Sequence, residues 1–212
     1  PGVYNLYAGP PQGSPLLPLI KEGLSVTADL RLDLNLERGK VLSGRVTDPD
    51  GKPVQDVYVY ASNPQTQTGG GGQTDADGRY RIALSPGTYN LNVNPPPGSP
   101  FVPKNVQSYQ IAGDQTFDVK LDRGVILSGR VTDPDGRPVQ NVNVYASNPQ
   151  TQTGNGAQTD ADGRYRISLL PGVYNLSVGL PPGSPFVPKN VQSYQIAGDQ
   201  TFDIKLDRGV IL

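Results

Sequence analysis

GRVTDPDG, residues 44–51, returns unchanged at residues 129–136. It belongs to a longer unit, because residues 39–123 (repeat one) and 124–208 (repeat two) carry the same 85-residue sequence with 14 differences and no gap. This period is longer than the roughly 20 to 50 residues that are typical of solenoid repeats, so it indicates whole domains in tandem. Any function of the unit is present once per domain, which favours a structural or adhesive array over a single active site.

Composition limits the partners and the chemistry of the chain. The formal net charge is −1, with 18 basic and 19 acidic residues, so no charge excess favours nucleic acid or an anionic membrane surface. The absence of Cys excludes disulfide bonds and thiolate sites. The sequence has no signal-peptide pattern and no apolar run of membrane-spanning length. Because it begins at Pro1 in the middle of a repeat, we expect it to be a window of a longer array.

Alternating apolar residues between regularly spaced turns predict short strands. In repeat two these stretches are 125–131, 139–147, 164–169, 174–178, 191–196 and 201–206. The turns between them use the fixed φ of Pro and the positive φ that Gly tolerates. The polar stretch 148–156, the equivalent glycine run Gly69–Gly72 and the proline-rich stretch 181–188 are predicted to be loops. About seven strands in each repeat, with no helical period, predict a two-sheet antiparallel β-sandwich.

The link between the repeats is short. Residues 121–124 lead straight into the opening strand of repeat two, and residues 206–209 have the same sequence. Neither a flexible Gly/Ser spacer nor a proline-rich one intervenes. We therefore expect neighbouring domains to abut end to end as a stiff rod. Strands of this length span about 20 to 27 Å, so each repeat should advance the rod by about 35 Å.

The repeat also sets the expected domain boundaries. Complete sandwiches are predicted at 39–123 and 124–208, and another repeat begins at 209–212. Residues 1–38 align with residues 171–208 and are predicted to be the C-terminal part of an incomplete repeat, with Leu30, Leu32, Leu34 and Leu36 in its third strand. Such a half-domain exposes an apolar face and open strand edges. We expect other protein to cover them, either the continuation of the same array or the terminus of another chain in a head-to-tail filament.

Three motifs recur in both repeats: GRVTDPDG followed by Lys or Arg and then Pro-Val, TDADGRYRI, and PGxYNLxV. Together they resemble the carboxypeptidase regulatory-like domain family, which is related to collagen-adhesin B-type repeats and to transthyretin-like sandwiches. The resemblance covers both repeats and extends to residues 1–6. It implies a seven-stranded sandwich of the transthyretin-like or immunoglobulin-like class that serves as an accessory, stalk or surface module.

Acidic turns are the first candidate sites. Each repeat has a D-P-D-G turn and a D-A-D-G turn, with acidic residues Asp48, Asp50, Asp75 and Asp77 in repeat one and Asp133, Asp135, Asp160 and Asp162 in repeat two. A calcium loop needs five or six oxygen ligands and a closing carboxylate, whereas cationic Arg follows the D-A-D-G turns. We therefore predict hairpin turns, with Asp as the cap and Gly at positive φ, and no metal site.

The resemblance also raises a crosslink, because relatives of this fold form Lys–Asn isopeptide bonds that a buried acid promotes. The candidates are Lys104, Lys120, Lys189 and Lys205 with Asn90 and Asn105. The complete repeats contain no Glu, since Glu22 and Glu37 lie in the fragment. We interpret the lysines as surface residues, with a crosslink promoted by Asp as the alternative.

Catalysis is not predicted. Without His or Cys, and without a G-x-S-x-G or S-x-x-K motif, no nucleophile–base pair stands out. The run Gly69–Gly72 lacks the Lys and the helix start of a phosphate loop. We expect no enzyme, no catalytic or metal residue and no cofactor.

Outward tyrosines are the last candidates. Tyr58, Tyr60 and Tyr145 lie on the outer face of an alternating strand, where Tyr can contact carbohydrate or protein. Asn143 replaces Tyr58 in repeat two, so we prefer a cross-strand or domain–domain contact over a carbohydrate platform. The loops 63–68 and 96–105 are identical in both copies, as recent duplication or selection for repeated contacts would produce. Both explanations stay open.

These expectations favour a structural segment of an extracellular or cell-surface tandem-repeat protein from a prokaryote. It would act as a stalk, adhesin shaft or filament that self-assembles or spaces a functional tip, with neighbouring repeats or chains as partners. The alternative is a carbohydrate- or protein-binding accessory module attached to a larger enzyme or transporter.

Overall fold

The computed structural model describes residues 1–209, and every regular element within them is a β-strand. In chain order the strands are β1 Gly2–Ala8, β2 Leu19–Val26, β3 Lys40–Thr47, β4 Tyr58–Ser62, β5 Gly69–Gln73, β6 Arg79–Leu84, β7 Gly87–Asn94, β8 Lys104–Ile111, β9 Gln115–Thr116, β10 Val119–Lys120, β11 Val125–Thr132, β12 Asn143–Asn148, β13 Thr153–Gln158, β14 Arg164–Leu169, β15 Gly172–Gly179, β16 Phe186–Val187, β17 Lys189–Ile196, β18 Gln200–Thr201, β19 Ile204–Lys205 and β20 Asp207–Arg208. The predicted all-β fold is confirmed. Among the described residues, no helix has the length and apolar character needed to cross a membrane.

The strands belong to two compact units. The first consists of Pro1–Asn94 and Lys104–Lys120, and the second of Pro95–Pro103 and the chain from Leu121 onward. The first unit therefore holds the N-terminal fragment and nearly all of repeat one. The second holds repeat two together with the proline-rich segment that precedes β8.

Two sheets of the first unit form the sandwich of repeat one. One sheet has the order β10-β3-β6, with β9 also on β3, and the other has the order β5-β4-β7-β8. In the second sheet the side chains alternate, because Val59 and Ala61 of β4 are fully buried whereas Tyr58 is 44% exposed. Such alternation places one face of the sheet on a core and leaves the other in water.

The last strand of repeat one lies beside the opening strand. β9 and β10 flank Phe117 as two parts of one strand, and both pair parallel with β3. Counted together they give the repeat seven strands. Carboxylates on this strand also accept backbone N–H groups of β3, Asp114 from Val41 at 2.9 Å and Asp118 from Arg45 at 2.8 Å. The parallel pairing was not specified by the alternating pattern, because it depends on how the chain crosses between the sheets.

Repeat two has the same architecture. β11 pairs with β14, β18 and β19, and the other sheet has the order β13-β12-β15-β17. The core between these sheets consists of Leu127, Val131, Val142, Val144, Ala146, Tyr165, Ile167, Leu169, Tyr174, Leu176, Val178, Ile196, Ile204 and Leu206. Burial of each large apolar side chain contributes about 1.5 to 3 kcal/mol. The inner faces of the two sheets therefore supply the main driving force for folding.

The prediction of loops is wrong for Gly69–Gly72 and for residues 153–156, which lie in strands, whereas residues 149–152 form a turn. β5 and β13 pair antiparallel with β4 and β12 along their whole lengths. The turn before β13 is closed by the Asn148 side-chain oxygen, which accepts the N–H groups of Gln150 and Thr151. Ladder hydrogen bonds need only backbone groups, which glycine supplies as well as other residues. An absence of apolar alternation therefore did not exclude a strand.

The N-terminal fragment forms a hairpin, β1 with β2, and not the three predicted strands. Residues 27–37 form no strand, although their leucines alternate. The aligned residues of repeat two form β18 and β19 because β11 lies beside them. In the described part of the chain, no opening strand pairs with residues 27–37. The face that a sandwich would bury stays open in this chain, since Tyr4 is 53% exposed whereas the equivalent Tyr174 is 3% exposed.

Candidate functional site

Three proline loops occupy equivalent positions in the chain: residues 11–18 in the fragment, 96–103 in repeat one and 181–188 in repeat two. Each contains a glycine with φ between 75° and 77°, where the missing Cβ removes the usual steric penalty. Proline lacks an N–H group, so only the residues between the prolines can donate to another segment. The prediction that loop 181–188 stays outside any ladder is wrong, because β16 within it pairs with β20.

Loop 96–103 is bonded to the segment that leads into repeat two. The Val102 N–H donates to the Asp122 carbonyl at 3.0 Å, and the Gly124 N–H donates to the Pro100 carbonyl at 2.9 Å. All four residues belong to the second unit. We call this pairing of a proline loop with the outgoing chain the connector.

The connector occurs at all three proline loops. Its other bonds run from Leu17 N to the Glu37 carbonyl at 2.8 Å, from Gly39 N to the Pro15 carbonyl at 2.9 Å, and from Gly209 N to the Pro185 carbonyl at 2.8 Å. Because these bonds hold the outgoing backbone against its own loop, the chain leaves each loop in the same local geometry. A connection of covalent backbone alone would leave that geometry free.

Loop 96–103 also contacts a surface of repeat two that β13 and β14 form. Ser168 is buried there, its Oγ donates to the Pro100 carbonyl at 3.0 Å, and the Asn155 Nδ2 donates to the Ser168 carbonyl at 3.0 Å. A cavity of about 60 Å³ remains between the loop and this surface. On repeat two it is lined by residues 153–155 and 168–170, which we call the docking face, and by Tyr174.

The equivalent surface of repeat one carries different side chains. Gly70 and Ala83 stand at the positions of Asn155 and Ser168. Loop 11–18 lies on this surface in the first unit, where Leu17 and Ala83 line one cavity. The two units therefore use the same backbone arrangement with different side-chain contacts.

The outward tyrosines lie over the glycines of the neighbouring edge strand. The rings of Tyr58 and Tyr60 stack with centroids 6.2 Å apart and planes 15° apart. A Cβ on Gly71 would lie 2.6 Å from the Tyr58 hydroxyl, and one on Gly69 would lie 2.7 Å from the Tyr60 hydroxyl. Tyr145 covers β13 in the same way. Aromatic side chains over edge-strand glycines stabilise a sheet, so the structure places these tyrosines as cross-strand partners.

The acidic turns use their carboxylates as caps. The Asp75 Oδ1 accepts the N–H groups of Asp77 at 3.0 Å and Arg79 at 2.8 Å, and Arg79 forms an ion pair with Asp77 at 2.7 Å. Gly78 has a φ of 74°, and a Cβ there would lie 2.5 Å from the Val46 carbonyl, so only glycine fits. The D-A-D-G turn of repeat two makes the same bonds. Residues 1–209 contain no group of three or more acidic side chains placed to hold a metal ion, and the lack of a metal site stays a prediction.

The lysines considered for a crosslink donate to backbone carbonyls. The Lys104 Nζ donates to the Lys120 carbonyl at 3.1 Å, and the Lys189 Nζ donates to the Lys205 carbonyl at 3.1 Å. The Asn90 side-chain oxygen accepts an N–H group of β8. These contacts are those of surface residues that also brace neighbouring backbone, and the lack of a crosslink stays a prediction.

Two buried tyrosine hydroxyls fix the last strand of each repeat. Tyr80 donates to the Phe117 carbonyl, and Tyr165 donates to the Phe202 carbonyl. Burial raises the pKa of both hydroxyls well above their ordinary value, with smaller contributions from nearby ionisable groups. The hydroxyls therefore stay neutral over the physiological range and act as hydrogen-bond donors, not as bases.

The docking face was missed by the sequence reasoning. Asn155, Ser168 and Leu170 are among the 14 positions at which the repeats differ, so a signal existed. Pro100 and Ser168 are 68 residues apart in the chain. Only the fold shows that these differences meet a proline loop.

Comparisons with known proteins place the chain in a family. The carboxypeptidase regulatory-like domain profile matches residues 41–122 and 126–207, and no curated protein matches the chain. Among solved structures the chain is similar to the Bacillus anthracis TIE protein, at 14% identity over 91% of this chain and 38% of that chain, with a TM-score of 0.33. It is also similar to a streptococcal ancillary pilin, at 13% identity over 91% of this chain and 70% of that chain, with a TM-score of 0.33. The shaft pilin SpaA from Lactobacillus rhamnosus GG is 10% identical, with 82% and 99% of the two chains covered and a TM-score of 0.35.

The chain spans little more than a third of the TIE protein, 38%. The family profile, in contrast, covers nearly the whole of both repeats. The resemblance that the three motifs predict is thereby confirmed, and the chain belongs to the carboxypeptidase regulatory-like domain family.

Proposed function

We propose that the chain is a structural segment of an extracellular tandem-repeat protein at a prokaryotic cell surface, where serial β-sandwiches act as a stalk, adhesin shaft or filament. The connector carries this proposal, because the same backbone hydrogen bonds recur at all three proline loops. In such an array the number of repeats sets the reach, and the connectors set the stiffness. This role requires no catalysis, metal or cofactor.

Two further observations support the proposal. The sequence of the sandwich occurs twice in direct succession without a flexible spacer. The family resemblance implies accessory, stalk or surface modules. Neighbouring repeats, in the same chain or in another copy, are then the main partners.

The distance between the repeats tests the proposal. Gln107 and Gln192 are exposed, occupy equivalent positions, and can be replaced by Cys for spin labelling because the chain has no Cys of its own. We expect a narrow distance distribution in the Gln107→Cys, Gln192→Cys variant, centred at about 35 Å from the strand lengths. Val102→Pro removes a connector N–H and should broaden the distribution, whereas Val102→Ala keeps the N–H and should not. A broad distribution without either change at Val102 would contradict a stiff array.

A second candidate function is a carbohydrate- or protein-binding accessory module. The stacked rings of Tyr58 and Tyr60 favour it, because Tyr58 is 44% exposed and a flat aromatic surface suits a sugar ring. Binding of the chain to a glycan array, lost in Tyr58→Ala with Tyr60→Ala and retained in Tyr145→Ala, would support this candidate. No binding above background would leave the tyrosines with the cross-strand role alone.

A further inference from the structure

The first glycine of each repeat, Gly39 or Gly124, leaves a space where a Cβ would lie. The proline loop fills this space in the first unit, and the docking face fills it in the second. In the first unit the proline loop fills it, because a Cβ on Gly39 would lie 2.7 Å from Leu17 Cδ2. In the second unit the docking face fills it, because the atom nearest to a Cβ on Gly124 is Ser168 Oγ. The same void is therefore closed by a loop side chain in one unit and by a face side chain in the other.

The residues on both sides of the contact change together. Leu17 lines a cavity together with Ala83, which has no hydroxyl. The equivalent loop residue Val102 is one methylene shorter and lines a cavity together with Ser168. The longer loop side chain, Leu17, is thus paired with the smaller face residue. The shorter loop side chain, Val102, is paired with the larger face residue. Packed surfaces tolerate such compensating changes of size better than a change on one side alone.

A polar contact reinforces the match in the second unit. The Ser168 Oγ donates to the Pro100 carbonyl at 3.0 Å, which is the carbonyl that also accepts the connector bond from Gly124. The Asn155 side chain holds the backbone of Ser168 through a bond of 3.0 Å. In repeat one, Gly70 cannot make such a bond.

An exchange of loops would disturb both contacts. Leucine at position 102 would bring its additional methylene towards the space beside Gly124, which Leu17 Cδ2 occupies beside Gly39 but which the Ser168 Oγ already fills in the second unit. Overpacking of this kind is destabilising. Valine at position 17 would enlarge the cavity that Leu17 and Ala83 line, which is also destabilising. Each face therefore fits its own loop better than the other loop.

We infer that these positions form a matching rule that specifies which repeat follows which proline loop. The inference rests on the proposed array function and identifies the partner of loop 181–188. That loop has the same sequence as loop 96–103. It fits a repeat that carries Ser and Asn at the positions of Ser168 and Asn155, and it does not fit one with Ala and Gly there.

A double-mutant cycle in the full chain tests the rule, with hydrogen exchange of the Gly124 amide as the readout because this amide is bonded to the Pro100 carbonyl. Val102→Leu should accelerate its exchange about tenfold through overpacking. Ser168→Ala should accelerate it about fivefold through the lost hydrogen bond. The double variant recreates the pair of the first unit, so its exchange should return to within about threefold of the parent. The Leu176 amide in the core serves as the control for global unfolding.

The mirror cycle uses Leu17→Val and Ala83→Ser and reads the Gly39 amide, so the rule stays testable if either variant at the first site fails to fold. Additive acceleration in the double variants, about fiftyfold at Gly124, would overturn the rule. Failure of the matching rule and failure of the proposed array function give different experimental results. A flexible array broadens the spin-label distances and leaves the exchange cycles unchanged, whereas additive exchange overturns the rule and leaves narrow distances intact.

Discussion

The parallel last strand of repeat two leaves no room for a side chain at Gly129 of β11, so Gly129→Ala should destabilise this repeat strongly. A Cβ there would overlap the Phe202 carbonyl oxygen and lie 2.7 Å from the Phe202 carbonyl carbon. Relief of this overlap moves Phe202 away from β11. The movement breaks the bond from the Phe202 N–H to the Ser128 carbonyl, 2.8 Å long, and the bond that the Tyr165 hydroxyl donates to Phe202.

The size of the effect follows from these losses. Two hydrogen bonds contribute about 0.5 to 1.5 kcal/mol each, and overpacking costs about 1 to 3 kcal/mol, so the expected loss is about 2 to 6 kcal/mol. A domain of 85 residues has about 4 to 13 kcal/mol of stability in total. Repeat two should therefore lose a large share of its stability while repeat one keeps its own. With a urea slope of about 1 kcal/mol per molar, unfolding should split into two transitions about 2 M or more apart.

Gly198→Ala is the matched control for this measurement. It makes the same substitution in the same repeat, but no heavy atom lies within 4 Å of the added Cβ and φ is not positive. Its effect should stay within about 0.5 kcal/mol. If Gly129→Ala unfolds in a single transition with a loss no larger than that of the control, the close approach of the last strand to β11 is refuted.

Turn carboxylates, a buried hydroxyl and a titrating tyrosine give three further expected outcomes. Millimolar calcium should leave Tm unchanged, because the carboxylates of the acidic turns already accept N–H groups of the same turns. A rise of several degrees that the Asp77→Ala, Asp162→Ala double variant abolishes would contradict this. Thr159→Val should cost about 2 kcal/mol in urea unfolding, because its buried hydroxyl bonds two backbone groups, and the exposed Thr151→Val should be nearly neutral. Stability should hold up to about pH 10 and fall above it, because burial raises the folded-state pKa of Tyr165 while the unfolded hydroxyl ionises near its ordinary value. Tyr165→Phe should make this fall shallower, and an unchanged slope between pH 9 and 11 would count against the assignment.

Local patterns predicted the strands whose stability depends on one buried face. Val144 and Ala146 alternate with Tyr145, and the structure buries the first two and exposes the third. The glycine strand Gly69–Gln73 was missed because its stability comes from backbone pairing and from tyrosines on the neighbouring strand. Residues 27–37 show the opposite error, because their alternating leucines need an adjacent strand and no strand within residues 1–209 pairs with them. In both cases the neighbouring strand that determines whether the segment forms a strand is distant in the sequence.

The candidate site was less accessible to prediction than the fold. The absence of a spacer between the repeats predicts that they abut, and this stays a prediction. The contact between Ser168 and Pro100 could not be predicted, because it joins two parts of the chain that no periodicity relates. The 14 differences between the repeats contained this information only in combination with the fold.

The parallel pairing of β3 with β9 and β10 determines how repeat one responds to mechanical force. The chain enters at the start of β3 and leaves at the end of β10, so a pull on the two ends slides one strand along the other. The bonds between the strands, including those that Asp114 and Asp118 accept, are then loaded together in shear. A hairpin pulled from its open end instead breaks its bonds one after another. A domain with this geometry resists extension until the whole strand pair ruptures.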